Sequence, residues 1–270
     1  MRRAAPFLFG LVRFLVAAWI LSAAALFLLQ RRVVFSAPSN TVAPSARGAT
    51  LLSIATPAGW RVAALHWPAP IGARTVVHFH GNGEQLAWQA DLGEALHAAG
   101  YGVVAAEYPG YGLMRLTEPT EASLYAAAEA LLRHLEGPLH LAREDIVLQG
   151  FSLGTGVASE MARRGHGGHL VLIAPYTSLR DMAALHAPWL PARWMVRDAF
   201  DTWSRAPAIE APTLLLHGDC DDLIPPSMSA TLARRFPHAH RELLPGTHHN
   251  DVFSRALVDV VTALRRFAPP

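Results

Sequence analysis

Two hydrophobic periods alternate along this chain of 270 residues. The first is a continuous apolar run, Phe7 to Leu29, broken only by Arg13. At 1.5 Å per residue it predicts a helix of about 34 Å, enough for a hydrocarbon core of roughly 30 Å. The uninterrupted part, Phe14 to Leu29, would span only about 24 Å. Arg13 is therefore expected near one interface, because a central arginine costs roughly 2.5–3.5 kcal/mol. Arg2 and Arg3 flank one end, and Arg31 and Arg32 the other. A cleaved signal peptide is the rival reading. Its apolar region normally runs to about 7–15 residues, shorter than this one, so an uncleaved anchor is preferred.

After the run, residues 36–50 (SAPSNTVAPSARGAT) have the small, Pro-rich composition of a linker. Short apolar runs then alternate with helical ones. Leu51–Thr56 and Arg61–Trp67 flank Pro57-Ala58-Gly59 and predict a hairpin. Strands are expected at Thr75–His80, Tyr101–Ala106, Ile146–Phe151, Leu170–Ala174, Thr213–His217 and Arg241–Leu244. Helices are expected at Glu84–Ala99, Thr120–Leu135, Leu153–Arg164, Ser227–Phe236 and Val252–Phe267. This alternation predicts an α/β fold: a mostly parallel central sheet with helices on both faces. Only the 38 residues between Ala174 and Thr213 are free to form a cap, and it must be short. The expected division is an anchor with basic flanks at 1–32, a linker at 33–50 and the α/β domain at 51–270.

Charge changes the picture once it is divided. All 23 basic residues are arginine, which excludes Schiff-base and P-loop lysine chemistry. Six lie in residues 1–47, which hold no acid; the remainder sets 17 arginines against 21 acids. The folded part is thus mildly acidic, and no nucleic-acid partner is expected. A single cysteine, Cys220, excludes a disulfide scaffold. Arginines flank both ends of the anchor, so the positive-inside bias nearly cancels. The expectation is a single-pass membrane protein with its α/β domain extracytoplasmic.

The chemistry centres on Gly150-Phe151-Ser152-Leu153-Gly154, placed after a predicted strand and before a predicted helix, the context of a nucleophile elbow. A serine needs a base and an acid to orient it. Both follow in the order Ser, Asp, His, each beyond a later strand. Asp219, Asp221 and Asp222 compete for the acid, and His248 and His249 for the base. The oxyanion donors are the backbone N–H groups of Leu153 and of Asn82, in the loop His80-Gly81-Asn82-Gly83-Glu84.

These segments resemble the α/β-hydrolase superfamily, and within it the membrane-anchored Bem46-like group related to α/β hydrolase domain-containing proteins 13 and 17. Residues 30–253 carry the resemblance. The matching segments are Gln30–Phe35, His78–Asn82, Tyr108-Pro109-Gly110-Tyr111-Gly112, Gly150–Gly154, Pro175–Leu179, His217–Pro225 and Gly246–Asp251. The family pattern His-Gly-x-x-Asp-x-x-(Val/Ile)-Pro implies Asp221 as the acid, and His-Asn-Asp implies His249 as the base. Glu107 stands where the family has Asp, without expected consequence for the chemistry. The doubled His248-His249 shifts the spacing by one and keeps His248 as the alternative.

The resemblance implies a serine hydrolase that cleaves carboxylic esters or thioesters of acyl chains, in lipids or acylated proteins, with no cofactor. A peptidase or amidase using the same triad, and a catalytically silent binding module, are the alternatives. No metal site is expected: His78 and His80 share a strand face, but Phe79, Gly81 and Asn82 add no ligand. Cys220 is expected to pack. Trp189, Trp194 and Trp203 are candidates for an acyl groove, a membrane-facing patch or core packing.

Overall fold

A computed structural model describes residues 4–270. The arginine flank at Arg2 and Arg3 lies outside the described residues. Helix α1 (Ala4–Val34) is longer than the apolar run predicts, because Gln30-Arg31-Arg32-Val33-Val34 continues it. Within it Leu8–Val34 has a mean hydropathy of 2.2 and is long and apolar enough to cross a membrane.

The predicted strands form one eight-stranded sheet. In chain order they are β1 (Thr50–Ala55), β2 (Arg61–Trp67), β3 (Thr75–Phe79), β4 (Gly102–Ala106), β5 (Ile146–Phe151), β6 (His169–Ile173), β7 (Thr213–Gly218) and β8 (Ala239–Leu244). The spatial order is β1-β2-β4-β3-β5-β6-β7-β8. Only β2 runs antiparallel to its neighbours; every pair from β4 to β8 is parallel. Every residue of β3, β4, β5 and β7 is buried. Successive side chains point to opposite faces of a sheet, so both faces are covered, as a parallel sheet requires.

The covering helices are α2 (Ala90–Ala98), α3 (Glu121–Glu136), α4 (Leu153–Arg163), α8 (Pro226–Ala233), α9 (Val252–Arg255) and α10 (Leu257–Phe267). Three short helices between β6 and β7 make the cap: α5 (Leu179–His186), α6 (Ala192–Met195) and α7 (Thr202–Arg205). Two helical expectations change in detail. The first turn of the stretch expected from Glu84 is a 3-10 turn, Leu86–Gln89, ahead of α2. The C-terminal helix expected as one piece breaks at Ala256, where the backbone leaves the helical region (φ −112°).

Residues 36–50 are held against the sheet. The Trp67 indole N–H donates to the Arg47 carbonyl (2.9 Å), and the Val42 N–H donates to Gln85 Oε1 (3.0 Å). Phe35, at the end of α1, is buried against Phe200.

Candidate active site

The elbow begins with backbone strain. Ser152 has φ +50° and ψ −116°, between the end of β5 and the first residue of α4. A non-glycine residue held there costs of order 1–3 kcal/mol, so its surroundings must enforce it. They do. The Ser152 N–H donates to the Ile173 carbonyl on β6 (2.9 Å), and the Ser152 carbonyl accepts from the Thr155 N–H (2.9 Å) and hydroxyl (2.6 Å). The two flanking glycines are required by contact. A Cβ on Gly150 would overlap the Gly154 carbonyl, and one on Gly154 would overlap the Phe79 carbonyl. Close approach of α4 to β3 thus sets the serine beside the loop that follows β3.

The loops after β7 and β8 meet the elbow because those strands are neighbours beside β6. His249 Nε2 lies 2.9 Å from Ser152 Oγ, and His249 Nδ1 lies 2.8 Å from Asp221 Oδ2. The Nδ1–H donates to the carboxylate, so Nε2 is left to accept the serine proton. Phe151 stacks on the His249 ring at 5.3 Å and fixes its plane. The competing residues have other partners. His248 is exposed and its N–H donates to Asp251 Oδ1 (2.7 Å). Asp219 accepts the Gly246 N–H (2.6 Å) and thereby closes the loop that carries His249. Asp222 is exposed.

Asp221 is surrounded by donors. Its Oδ1 accepts from the N–H groups of Leu223 (3.0 Å) and Ile224 (2.7 Å). Its Oδ2 is shared between His249 and His217 Nε2, the latter at 3.3 Å. Burial alone would raise its pKa. The hydrogen bonds from His217, His249 and Ile224 outweigh burial and hold the carboxyl well below its ordinary range. His217 was not assigned a role on sequence. It is fully buried at the end of β7, and its Nε2–H also reaches the Ile224 carbonyl (2.8 Å). Its signal was the first letter of the His-Gly-x-x-Asp pattern.

The loop after β3 is equally braced. The Asn82 side-chain oxygen accepts from the Tyr111 hydroxyl (2.7 Å), the Ser36 N–H (3.0 Å) and the Gly83 N–H (3.0 Å). Tyr108 donates its hydroxyl to the His80 carbonyl (2.9 Å). The Tyr-Pro-Gly-Tyr-Gly motif therefore clamps this loop at two points. Among the described residues the Asn82 backbone N–H donates to no protein acceptor. Leu153, at the start of α4, contributes one of the donors that a helix start leaves free. Glu107, whose replacement of Asp was expected to be neutral, is buried beneath the loop, 3.2 Å from His80 Nε2, and accepts the Leu86 N–H (3.1 Å). Burial opposes charge on His80, but Glu107 and the Gly81 carbonyl raise its proton affinity above the ordinary value.

His78 and His80 take separate protein partners, Gln149 Oε1 at 2.8 Å for the first and Glu107 for the second. No cluster that could hold a metal ion occurs among the described residues. The expectation that Cys220 packs is incorrect: it is exposed at the tip of the β7 loop, beside Asp219. Core packing is also excluded for Trp189, Trp194 and Trp203, all of which are exposed.

Comparison with known proteins bears on the fold and the family. Residues 72–198 match the family described as serine aminopeptidase, S33. The uncharacterized protein Rv2307c of Mycobacterium tuberculosis is 32% identical over 248 residues, covering 88% of this chain and 86% of that protein. The α/β hydrolase domain-containing protein aho-3 of Caenorhabditis elegans is 32% identical over 68% of this chain and 55% of its own length. Human α/β hydrolase domain-containing protein 17C is 27% identical with the same two coverages. Among solved structures, the Pyrococcus furiosus esterase Pf2001 superposes with a TM-score of 0.67 at 18% identity, covering 86% of this chain and 99% of that one. The chain has the α/β-hydrolase fold, and its sequence is similar to α/β hydrolases of the domain-containing protein 17 type.

Proposed function

We propose that this hydrolase is a membrane-anchored serine esterase or thioesterase acting on acyl chains. The observation that carries the reading is the continuous hydrogen-bonded chain Ser152–His249–Asp221 on a strained elbow. In the reaction, Ser152 Oγ attacks the substrate carbonyl carbon as its proton passes to His249 Nε2. Asp221 stabilises the resulting imidazolium and holds its tautomer. The backbone N–H groups of Asn82 and Leu153 receive the oxyanion. Collapse of the tetrahedral adduct breaks the bond to the alcohol or thiol, which leaves with the proton from Nε2. Water then attacks the acyl-enzyme by the same route, releasing the carboxylic acid and free Ser152. Removing one oxyanion donor typically costs about 10²–10³ in rate.

In this reading α1 is the anchor, residues 33–50 join it to the catalytic domain, and the domain from residue 51 works at the bilayer surface. The length and hydropathy of Leu8–Val34 support anchoring. The esterase named among the fold's neighbours supports ester substrates. The aminopeptidase description of the matching family favours a second reading, in which the same triad cleaves an amide.

A fluorophosphonate probe tests the triad without knowledge of the substrate. Full-length protein in detergent is expected to be labelled, and Ser152→Ala and His249→Ala to lose labelling. Retained labelling in His249→Ala would move the base to His248. An unlabelled, folded wild type would sink the serine-hydrolase reading. Hydrolysis of an aminoacyl anilide in preference to its ester would favour the amidase.

A further inference from the structure

Helix α1 does not stand clear of the domain that follows it. Its second half lies along the cap. The Gln30 side chain donates to the Met195 carbonyl (3.2 Å) and accepts the Arg197 N–H (2.8 Å). Arg31 pairs with Asp198 (2.9 Å), and the Arg197 guanidinium lies 4.2 Å from the centroid of the Phe27 ring. Further toward the N-terminus, the Trp19 indole N–H donates to the Trp189 carbonyl (3.0 Å). Trp189 sits in the turn Ala187-Pro188-Trp189-Leu190-Pro191, which joins α5 to α6 at the tip of the cap.

A membrane-spanning α1 fixes how deep that turn must lie. A hydrocarbon core of roughly 30 Å takes about 20 helical residues. Arg2 and Arg3 keep the core from starting before Ala4, because a charge inside it is costly. Counted from Ala4, the crossing runs to Ala23, about 6 Å past Trp19 toward the domain. Counted from Leu8, it runs to Phe27, about 12 Å past Trp19. Tilting the helix lengthens the crossing and carries Trp19 deeper still. In each case Trp19, with the turn bonded to it, falls inside the core.

The chemistry of the turn suits that depth. Ala187–Pro191 carries no charge, and its two prolines have no N–H to leave unpaired. The Ala187 N–H donates to the Ala183 carbonyl (2.9 Å) and the Leu190 N–H to the Ala187 carbonyl (3.1 Å), while the Trp189 carbonyl takes the Trp19 indole. Backbone that enters hydrocarbon has to find its partners within the protein in this way. Two large apolar side chains meanwhile stand open, Leu185 and Trp189, the latter 53% exposed. We infer that the tip of the cap, Ala187–Pro191, enters the bilayer beside α1, so that the lipid surface holds the domain at a second place. The inference rests on reading α1 as a membrane-spanning anchor. It gives Trp189 hydrocarbon as its partner. Trp194, exposed beside Met195 and so nearer the level of Gln30, lies at the headgroups, where tryptophan is favoured. Arg193 and Arg197 follow the turn and extend their cationic ends to the lipid phosphates.

The test is the depth of single labels on full-length protein in vesicles of phosphatidylcholine and phosphatidylglycerol. Cys220, the one cysteine, is first changed to serine. Trp189→Cys, Leu15→Cys and Glu144→Cys then each carry a nitrobenzoxadiazole label, and phosphatidylcholine bearing a mid-chain nitroxide is the quencher. All three positions are exposed, and Trp189 meets α1 through its backbone carbonyl, so its substitution keeps that bond. Leu15 reports on α1 alone. Glu144 precedes β5, at the end of the sheet away from the elbow. The labels at 189 and 15 are expected to lose emission as the nitroxide lipid increases, and the label at 144 to keep it. Loss at 15 with no more loss at 189 than at 144 would overturn the proposal and leave the anchor standing. No loss at 15 would remove the anchor reading, and the depth argument with it. Equal loss at all three positions would mean indiscriminate adsorption and would also overturn the proposal.

Discussion

Asp221 and Arg31 both hold distant parts of this chain together, on opposite terms. Asp221 is buried, with two backbone N–H groups and two imidazoles around its carboxylate. Every lone pair that burial strips of water is given a donor, so the group is fixed and losing a partner is expensive. Arg31 ties α1 to Asp198 and Glu118 from a side chain that is 36% exposed; that of Glu118 is 71% exposed, and that of Asp198 is 8% exposed but keeps the Glu121 N–H as a second donor. Water screens the arginine end of both pairs, and such pairs typically contribute about 0–1 kcal/mol. The site floor is held by a few costly contacts, its roof by many cheap ones. A floor of this kind preserves sub-ångström geometry. A roof of this kind permits movement at little cost.

The largest test of the floor is Ser152→Ala. Its kcat is expected to fall on the order of 10⁶-fold with thermal stability at or above wild type, since the strained elbow loses no buried partner but the His249 bond. Ester turnover beside a melting curve checks both halves. Asp221→Asn should follow at about 10⁴, because the amide presents the wrong partner to His249 Nδ1 and disturbs the tautomer. A loss under tenfold would show that the carboxylate is not needed.

The third test concerns pH. Burial, with His80 nearby, lowers the pKa of His78 to about 3, against the bonds from Gln149 and Gln89. A histidine lowered on folding stabilises the fold fully above its unfolded pKa, near 6.5. That contribution is lost as pH falls from about 6.5 toward 3, with a slope of up to about 1.4 kcal/mol per pH unit. Urea midpoints measured across this window should fall accordingly, and His78→Phe should flatten the slope whatever its absolute stability. A wild-type profile matching that of His78→Phe would refute the assignment.

His217→Phe removes one donor from Asp221 and should lower kcat roughly 10- to 100-fold with little change in KM, on the scale of a charge-assisted hydrogen bond. A change in KM alone would indicate that His217 shapes the binding surface instead. Smallest of all, Arg31→Met should shift the melting free energy by under about 1 kcal/mol. A larger effect would mean that the roof is held as firmly as the floor.

The same contrast governs what the sequence makes legible. Ser152, Asp221 and His249 stand just past the ends of β5, β7 and β8 in a pattern few other chemistries would produce, and the sheet order brings them together. His217 and Glu107 were harder to read. A histidine that ends an apolar strand and a glutamate before Tyr-Pro look like ordinary loop-edge residues until β7 is known to lie two strands from β5, and β4 next to β3. Cys220 was misread because a lone cysteine in an apolar-rich chain suggests burial, while its position at a loop tip between two acids pointed outward. The cap resisted for another reason. Its short helices have no long period, and the surface that completes them belongs to α1, over a hundred residues earlier.

A single residue, Phe35, separates Val34, where α1 ends, from Ser36, whose N–H grips Asn82, so the two are two chain steps apart. Two residues of extended chain reach at most about 7 Å. With a membrane-seated α1, the oxyanion loop keeps a fixed altitude above the anchor. In the proposed reading the molecule is then a depth gauge: an ester carbonyl lying at that height would be presented to Ser152, while the same bond a few ångströms deeper or shallower would pass by. Bilayer thickness, which tilts and lifts such a helix, becomes a selector of substrate.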